Sequence, residues 1–129
     1  MDLKDFDPKP SQEGVWMTLR HPGTKVKLDC EILLASKDST YWRDALSKQI
    51  SAAAEAGEKN FNRETTDERS SEILAACTLG WKGILKDGKE LEYSKEAAKD
   101  LYLNYRWIYD QVDAFIGTRA NFFPQSSKT

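Results

Sequence analysis

The residues able to do chemistry are few, and their spacing suits none of the familiar reactions. His21 is the only imidazole. It stands before Pro22 in a His-Pro-Gly-Thr turn, and no Ser or Cys motif points to it as a base. Cys30 and Cys77 lie too far apart for the short paired spacings of structural zinc, and no Asp-rich calcium loop is present. Two cysteines also make no disulfide scaffold, so both are expected as reduced, buried thiols. Asp110 and Asp113 fall three apart on a helix and could approach as a carboxylate pair, although charges at that spacing ordinarily solvate the face opposite an apolar stripe. Gly80, Gly83 and Gly88 do not form a phosphate loop, because no Gly-Lys-Ser/Thr or Gly-x-Gly-x-x-Gly follows a strand. Trp107 beside Arg106 and Tyr105 could stack a base. Stacking platforms stand beside basic grooves, however, and this helical stretch also carries Asp100, Asp110 and Asp113. The expectation is a non-enzymatic protein with no catalytic residues, no metal and no cofactor.

Composition narrows the class further. At 129 residues, with 40% hydrophobic and 31% charged residues, the chain reads as one ordinary globular domain. A net charge of −2 and a pI near 5.5 give no electrostatic case for nucleic acid or an anionic membrane. No apolar run approaches the ~18 residues a bilayer span needs, and MDLKDFDPKP shows neither a basic start nor an apolar segment behind it. A protein kept in the cytoplasm, off the membrane, is expected. What is concentrated is aromatic surface: 7 of the 14 aromatics follow Tyr93. Such density suits either a small core or a binding face.

The elements that must position these aromatics can be read from local pattern. Residues 1–12, rich in Asp and Lys with two prolines, read as a flexible arm, residues 13–123 as a single globular domain and residues 124–129 as a flexible tail. Val15, Met17 and Leu19 alternate with Trp16, Thr18 and Arg20, and after the turn at His21–Thr24 the alternation resumes at Val26, Leu28, Cys30, Ile32 and Leu34. A meander of two or three antiparallel strands is expected. Asp38, Ser39 and Thr40 open a helix whose inner face is Trp42, Ala45, Leu46, Gln49, Ile50 and Ala53, closed by Gly57. Residues 58–64 read as an exposed connection with Phe61 as its anchor. Thr65 and Glu68 fit a capping box for a second helix that stops at Gly80. Asp87-Gly88 between Trp81–Leu85 and Glu90–Tyr93 signals a tight hairpin. Ser94 then caps a helix with Glu96 in its first turn, and the apolar stripe from Ala97 to Ile116 either continues as one helix or breaks near Asn104, with Gly117 as the stop. The fold class is therefore α+β: a small N-terminal antiparallel strand meander packed with three or four helices, plus a short hairpin near residues 81–93.

Without assembled chemistry, binding by apolar surface remains. Trp107, Ile108, Phe115 and Ile116 are candidate partner-binding residues, although the inward members of their stripe equally suit a core. Phe122 and Phe123, beside Asn121 and Pro124, are the pair expected to reach out to a partner.

These same residues carry a resemblance. The sequence Trp81-x-Gly83, Asp87-Gly88, Tyr93-Ser94-x-Glu96-x-Ala98, Trp107-Ile108-x-x-Gln111-Val112-x-x-Phe115-Ile116 and Arg119–Phe123 resembles the C-terminal half of tail assembly chaperones of tailed bacteriophages. Glu13–Leu19, Arg20-His21-Pro22, Asp38-Ser39 and Trp42-Arg43 look similar to the N-terminal half. Together they span roughly residues 13 to 123, and they are structural punctuation, not chemistry. Members commonly place a proline before the Trp-Ile pair; this chain has Tyr105-Arg106 there. The resemblance implies a chaperone in the cytoplasm of the bacterial host that binds the tape-measure protein, helps recruit tail tube protein and leaves before the virion is finished. Self-association is left open by the sequence. The rival reading is a permanent structural tail or connector protein of the virion.

Overall fold

The computed structural model describes residues 1–57 and 62–123. Its architecture is α+β: a three-stranded antiparallel sheet, helices packed on one of its faces and a separate two-stranded hairpin.

Strand β1 (Val15–Arg20) pairs with β2 (Lys27–Leu34), in register from Val15 opposite Leu34 to Thr18 opposite Glu31. The period of two sends Met17, Leu19, Ile32 and Leu34 into the core, while Trp16 and Arg20 stay exposed on the outer face. The third strand arrives late in the chain. Strand β3 (Thr78–Lys82) follows two helices and pairs with the far side of β2, giving the order β1-β2-β3.

Ahead of the sheet, the stretch expected as a free arm is partly docked. A 3-10 turn at Leu3–Phe6 is exposed, but α1 (Lys9–Glu13) buries Ser11, whose carbonyl accepts the Ser36 N–H. The Gln12 side chain exchanges two hydrogen bonds with Thr40. Polar partners supplied from a distant segment outweigh the local charge and proline content.

Helix α2 (Thr40–Glu55) begins at the Ser39 cap, whose hydroxyl accepts the Trp42 N–H. Its inner face is narrower than the apolar pattern suggests. Trp42, Ala45 and Ala53 are half-buried and Gln49 is buried, but Leu46 is 37% and Ile50 62% exposed. Gln49 sits at the contact with α3 (Arg63–Ala76), donating to Glu72 and accepting from Arg69, so a polar side chain fixes which line of α2 faces inward. Of the expected connection at 58–64, residues 58–61, including Phe61, lie outside the described residues. Helix α3 starts at an Asn62 cap, three residues before the expected Thr65, because the Asn62 side chain already accepts the Thr65 N–H. It also ends earlier than Gly80: Thr78 onward is taken by pairing with β2. The Lys95 ammonium, its pKa lowered by burial, donates to the carbonyls of Ala75, Ala76 and Thr78, closing the C-terminal end of α3.

The hairpin forms as its dipeptide requires. Strands β4 (Leu85–Lys86) and β5 (Lys89–Glu90) are joined by Asp87 at φ 53° and Gly88 at φ 78°, both positive as a type I′ turn needs. Ser94 caps α4 (Lys95–Asn104) by accepting the Ala97 N–H. The chain then breaks at Tyr105 (φ −122°, ψ 78°) and restarts as α5 (Arg106–Ile116), so no proline is needed for the break. Arg106 holds the corner: its guanidinium donates to the Tyr102 carbonyl and the Ser71 hydroxyl, pairs with Asp67 at 3.6 Å and lies 3.8 Å from the Tyr109 ring centre.

The core lies between the inner face of the sheet and α3, α4 and α5. Cys77 is buried, its thiol pushed up to about 11 chiefly by desolvation, whereas Cys30 is only half-buried, and both are free thiols. At the centre, the Tyr102 hydroxyl lies 2.7 Å from Thr78 Oγ1, which is 2.9 Å from the Leu74 carbonyl. A carbonyl can only accept, so Thr78 donates to Leu74 and Tyr102 donates to Thr78. Burial raises the phenol pKa and keeps it protonated for that role. Tyr102→Phe removes one donor and leaves Thr78 with its own bond made; urea denaturation is expected to show a loss of about 1 kcal/mol.

Candidate functional site

The six residues singled out by sequence separate into two groups. Ile108, Ile116 and Phe122 are buried, at 5%, 1% and 0% exposure. Trp107, Phe115 and Phe123 are half-buried and keep an accessible edge. The expectation that Phe122 reaches out is corrected, and the reason is a set of non-local bonds. Residues Arg119–Phe122 form a 3-10 turn that folds back onto α5. Arg119 makes a bidentate pair with Asp38 at 2.8 and 3.0 Å, and the Asn121 side chain donates to the Phe115 carbonyl. Phe122 then meets Phe115 edge-to-face at 5.5 Å between ring centres. The Arg119 hydrogen bonds hold the Asp38 carboxyl below its ordinary pKa, so this tether is present at neutral pH and is lost as acid titrates Asp38.

The accessible aromatics face two different grooves. Trp107 helps wall a cleft of about 250 Å³ at the corner between the hairpin and the α4–α5 break. Ile84, Leu85 and Leu91 form its hairpin side, Tyr105, Trp107 and Ile108 its helical side, and Leu19 and Cys30 also line it. Among the described residues, Lys86 alone of its lining is charged. Leu85 is 63% and Tyr105 47% exposed, so two exposed large apolar side chains stand at its rim. Three contacts set the hairpin in place: the Trp81 indole donates to the Leu91 carbonyl, Trp81 and Tyr93 stack edge-to-face at 5.2 Å, and the Tyr93 hydroxyl donates to the Thr78 carbonyl.

Phe115 lines a second, open groove beside the outer edge of β1, together with Ala114, Thr118 and Asn121. Sequence reasoning did not find the hairpin leucines or Tyr105 as rim residues, because the short strands show no period and Tyr105 falls on the break. Nor did it find the exposed Leu46 and Ile50, which the helical period placed inward.

Of the other residues weighed for chemistry, His21 and Asp113 are occupied structurally, and Asp110 is exposed. His21 Nδ1 accepts the N–H groups of Gly23 and Thr24, closing its turn. Asp113 pairs with Lys37 at 3.1 Å. Among the described residues, no group of three or more His, Cys, Asp or Glu side chains is placed to hold a metal ion, and no helix is long and apolar enough to cross a membrane.

The arrangement defines a small α+β protein with two grooves beside its last two helices, at which Trp16, Leu85 and Tyr105 stand exposed. The chain belongs to the YdaY prophage protein family, whose sequence profile matches residues 35–128, and it is therefore phage-derived. No curated protein and no solved structure matches it.

Proposed function

We propose that this protein is a non-enzymatic tail assembly chaperone that binds the tape-measure protein in the host cytoplasm and helps bring tail tube subunits to it. The observation that carries the reading is the corner cleft, where Leu85 and Tyr105 stand exposed at the rim of a lining in which, among the described residues, Lys86 alone is charged. Membership of a prophage family and the resemblance in the spacing of Trp81, Gly88, Ser94, Trp107 and Phe115 support the same reading. A long tape-measure polypeptide exposes apolar helical faces before the tube encloses it, and a cleft of this kind covers such a face reversibly while the charged exterior keeps the complex in solution. The contact residues of this proposal are Trp107 from the original six, with Leu85, Tyr105 and Leu91 added. Ile108 lines the floor, and Ile116 and Phe122 support the helix from within.

Co-expression provides the test. The soluble fraction of the tape-measure protein should rise in the presence of this chain, and Leu85→Ser with Tyr105→Ser should abolish the rise without lowering the chain's own melting temperature. An unchanged soluble fraction, with the chain recovered from purified particles, would replace the proposal with a permanent tail component.

A further inference from the structure

Strand β1 is an edge strand, and its outward side is only half covered. The Gln111 side chain accepts the Arg20 N–H at 2.9 Å and donates to the Arg20 carbonyl at 2.8 Å, so one amide side chain stands where a neighbouring strand would stand. This fixes the direction of the ladder. The β1–β2 register shifts between Thr18 and Arg20, with the extra residues on β2, so β1 keeps its own alternation and the N–H and C=O of Thr18 and Trp16 turn the same way as those of Arg20. No side chain among the described residues caps either of them, and both line the open groove of about 570 Å³ against Phe115.

That groove also has a sign. Its charged lining residues are Arg20, Lys25 and Lys27, with no carboxylate among them, and none of the three makes an ion pair among the described residues. Two acids lie across the ladder on the far side of Thr18: Glu31, held by Lys82 at 3.4 Å, and Asp29, which is exposed and lines a separate pocket with Thr18 rather than this groove.

We propose that the Trp16–Thr18 edge of β1 is a strand-addition site for an extended acidic peptide whose side chains alternate between carboxylates on the outer, basic face and apolar groups packed toward Phe115 and Ala114. Unpaired edge groups are a template for a further strand, and added strands take affinity from main-chain hydrogen bonds and specificity from alternate side chains. The cations lining the groove, with no carboxylate among them, select an acidic occupant. Gln111 closes the site at Arg20 and so fixes its length. The proposal does not rest on the tail-assembly reading, and its test uses no tape-measure protein.

The probe is a fluorescein-labelled hexapeptide of alternating valine and glutamate, titrated onto the full chain by anisotropy, with amide exchange followed by NMR. Saturable binding is expected, with slowed exchange at Thr18 and with affinity lowered about tenfold or more by alternate N-methylation of the peptide or by lysine in place of glutamate. Thr18→Pro should have the same effect, since a proline whose missing N–H faces outward is compatible with an edge strand. If that variant does not fold, the N-methylated peptide still decides the matter. Equal binding of the N-methylated peptide, equal binding of the lysine peptide, no binding at millimolar peptide, or a dimer of the chain whose interface maps to β1 would each overturn the proposal.

Discussion

Phe122→Ala should cost about 3–5 kcal/mol, the range for emptying a buried aromatic site. Against the ~5–15 kcal/mol that holds a domain of this size together, the substitution removes a large share of the stability. Phe122 is wholly buried, and its ring is the edge-to-face partner of Phe115. The turn that carries it is held by only a few bonds, from Arg119 to Asp38 and from Asn121 to the Phe115 carbonyl, so it cannot close over the void without giving up those bonds. Phe123→Ala, at a half-buried neighbour, should lose only a small fraction as much. Guanidinium denaturation of the two single variants gives the comparison. Equal, small losses would mean that the last turn contributes little to the fold and that its aromatics are available to a partner.

Gly83→Ala should be nearly as damaging, for a different reason. Gly83 has φ 83°, and a Cβ added there would collide with the Asp29 carbonyl oxygen and come within 3.1 Å of the Cys30 Cα. Both obstacles are backbone, so no side-chain rotation relieves them. Gly88 supplies the control: φ is 78°, with nothing within 4 Å of the added Cβ. Gly88→Ala should therefore cost about 1 kcal/mol from backbone strain alone, and Gly83→Ala about 3 kcal/mol once overpacking is added. Because Gly83 lies where the chain leaves the sheet for the hairpin, the second variant should also displace Leu85 and weaken any capture at the corner cleft. Similar melting temperatures for the two variants would show that the close approach to Asp29 does not constrain the hairpin.

What could be read from sequence was what is decided locally. Asp87-Gly88 needs only its own two backbone conformations, and Ser39 and Ser94 cap helices through the next three residues, so these features appear where the pattern placed them. The alternation in β1 and β2 is local as well: Met17, Leu19, Ile32 and Leu34 are buried as expected, whereas Leu28 and Cys30 are half-buried and Val26, before the strand and beyond the register shift, is 63% exposed. Features decided by distant partners were not legible. Thr78 and Leu79 look like the end of a helix and Trp81–Leu85 like an arm of the hairpin until β2, some fifty residues earlier in the chain, takes Thr78–Lys82 as a third strand. Leu46 and Ile50 match a helical stripe, but Gln49, bonded to α3, turns the helix so that they face outward. Phe122 looked available because it sits near the end of the chain among polar residues. The Arg119–Asp38 pair that anchors its turn joins positions with no sequence relation to each other. The candidate site shows the same division: Trp107 was found from its stripe, with Tyr105 two residues before it, while Leu85 was brought to it by the fold.

The central claim is that the corner cleft is where an unfinished tail polypeptide is held. Site-specific photocrosslinking from position 85, in cells that also make the tape-measure protein, tests it directly, with position 50 on α2 as the exposed apolar control. The expected result is a crosslink from position 85 to the tape-measure protein that disappears with Tyr105→Ser and is absent from position 50. A crosslink from position 50 alone, or none from position 85 while the tape-measure protein remains soluble, would contradict the account.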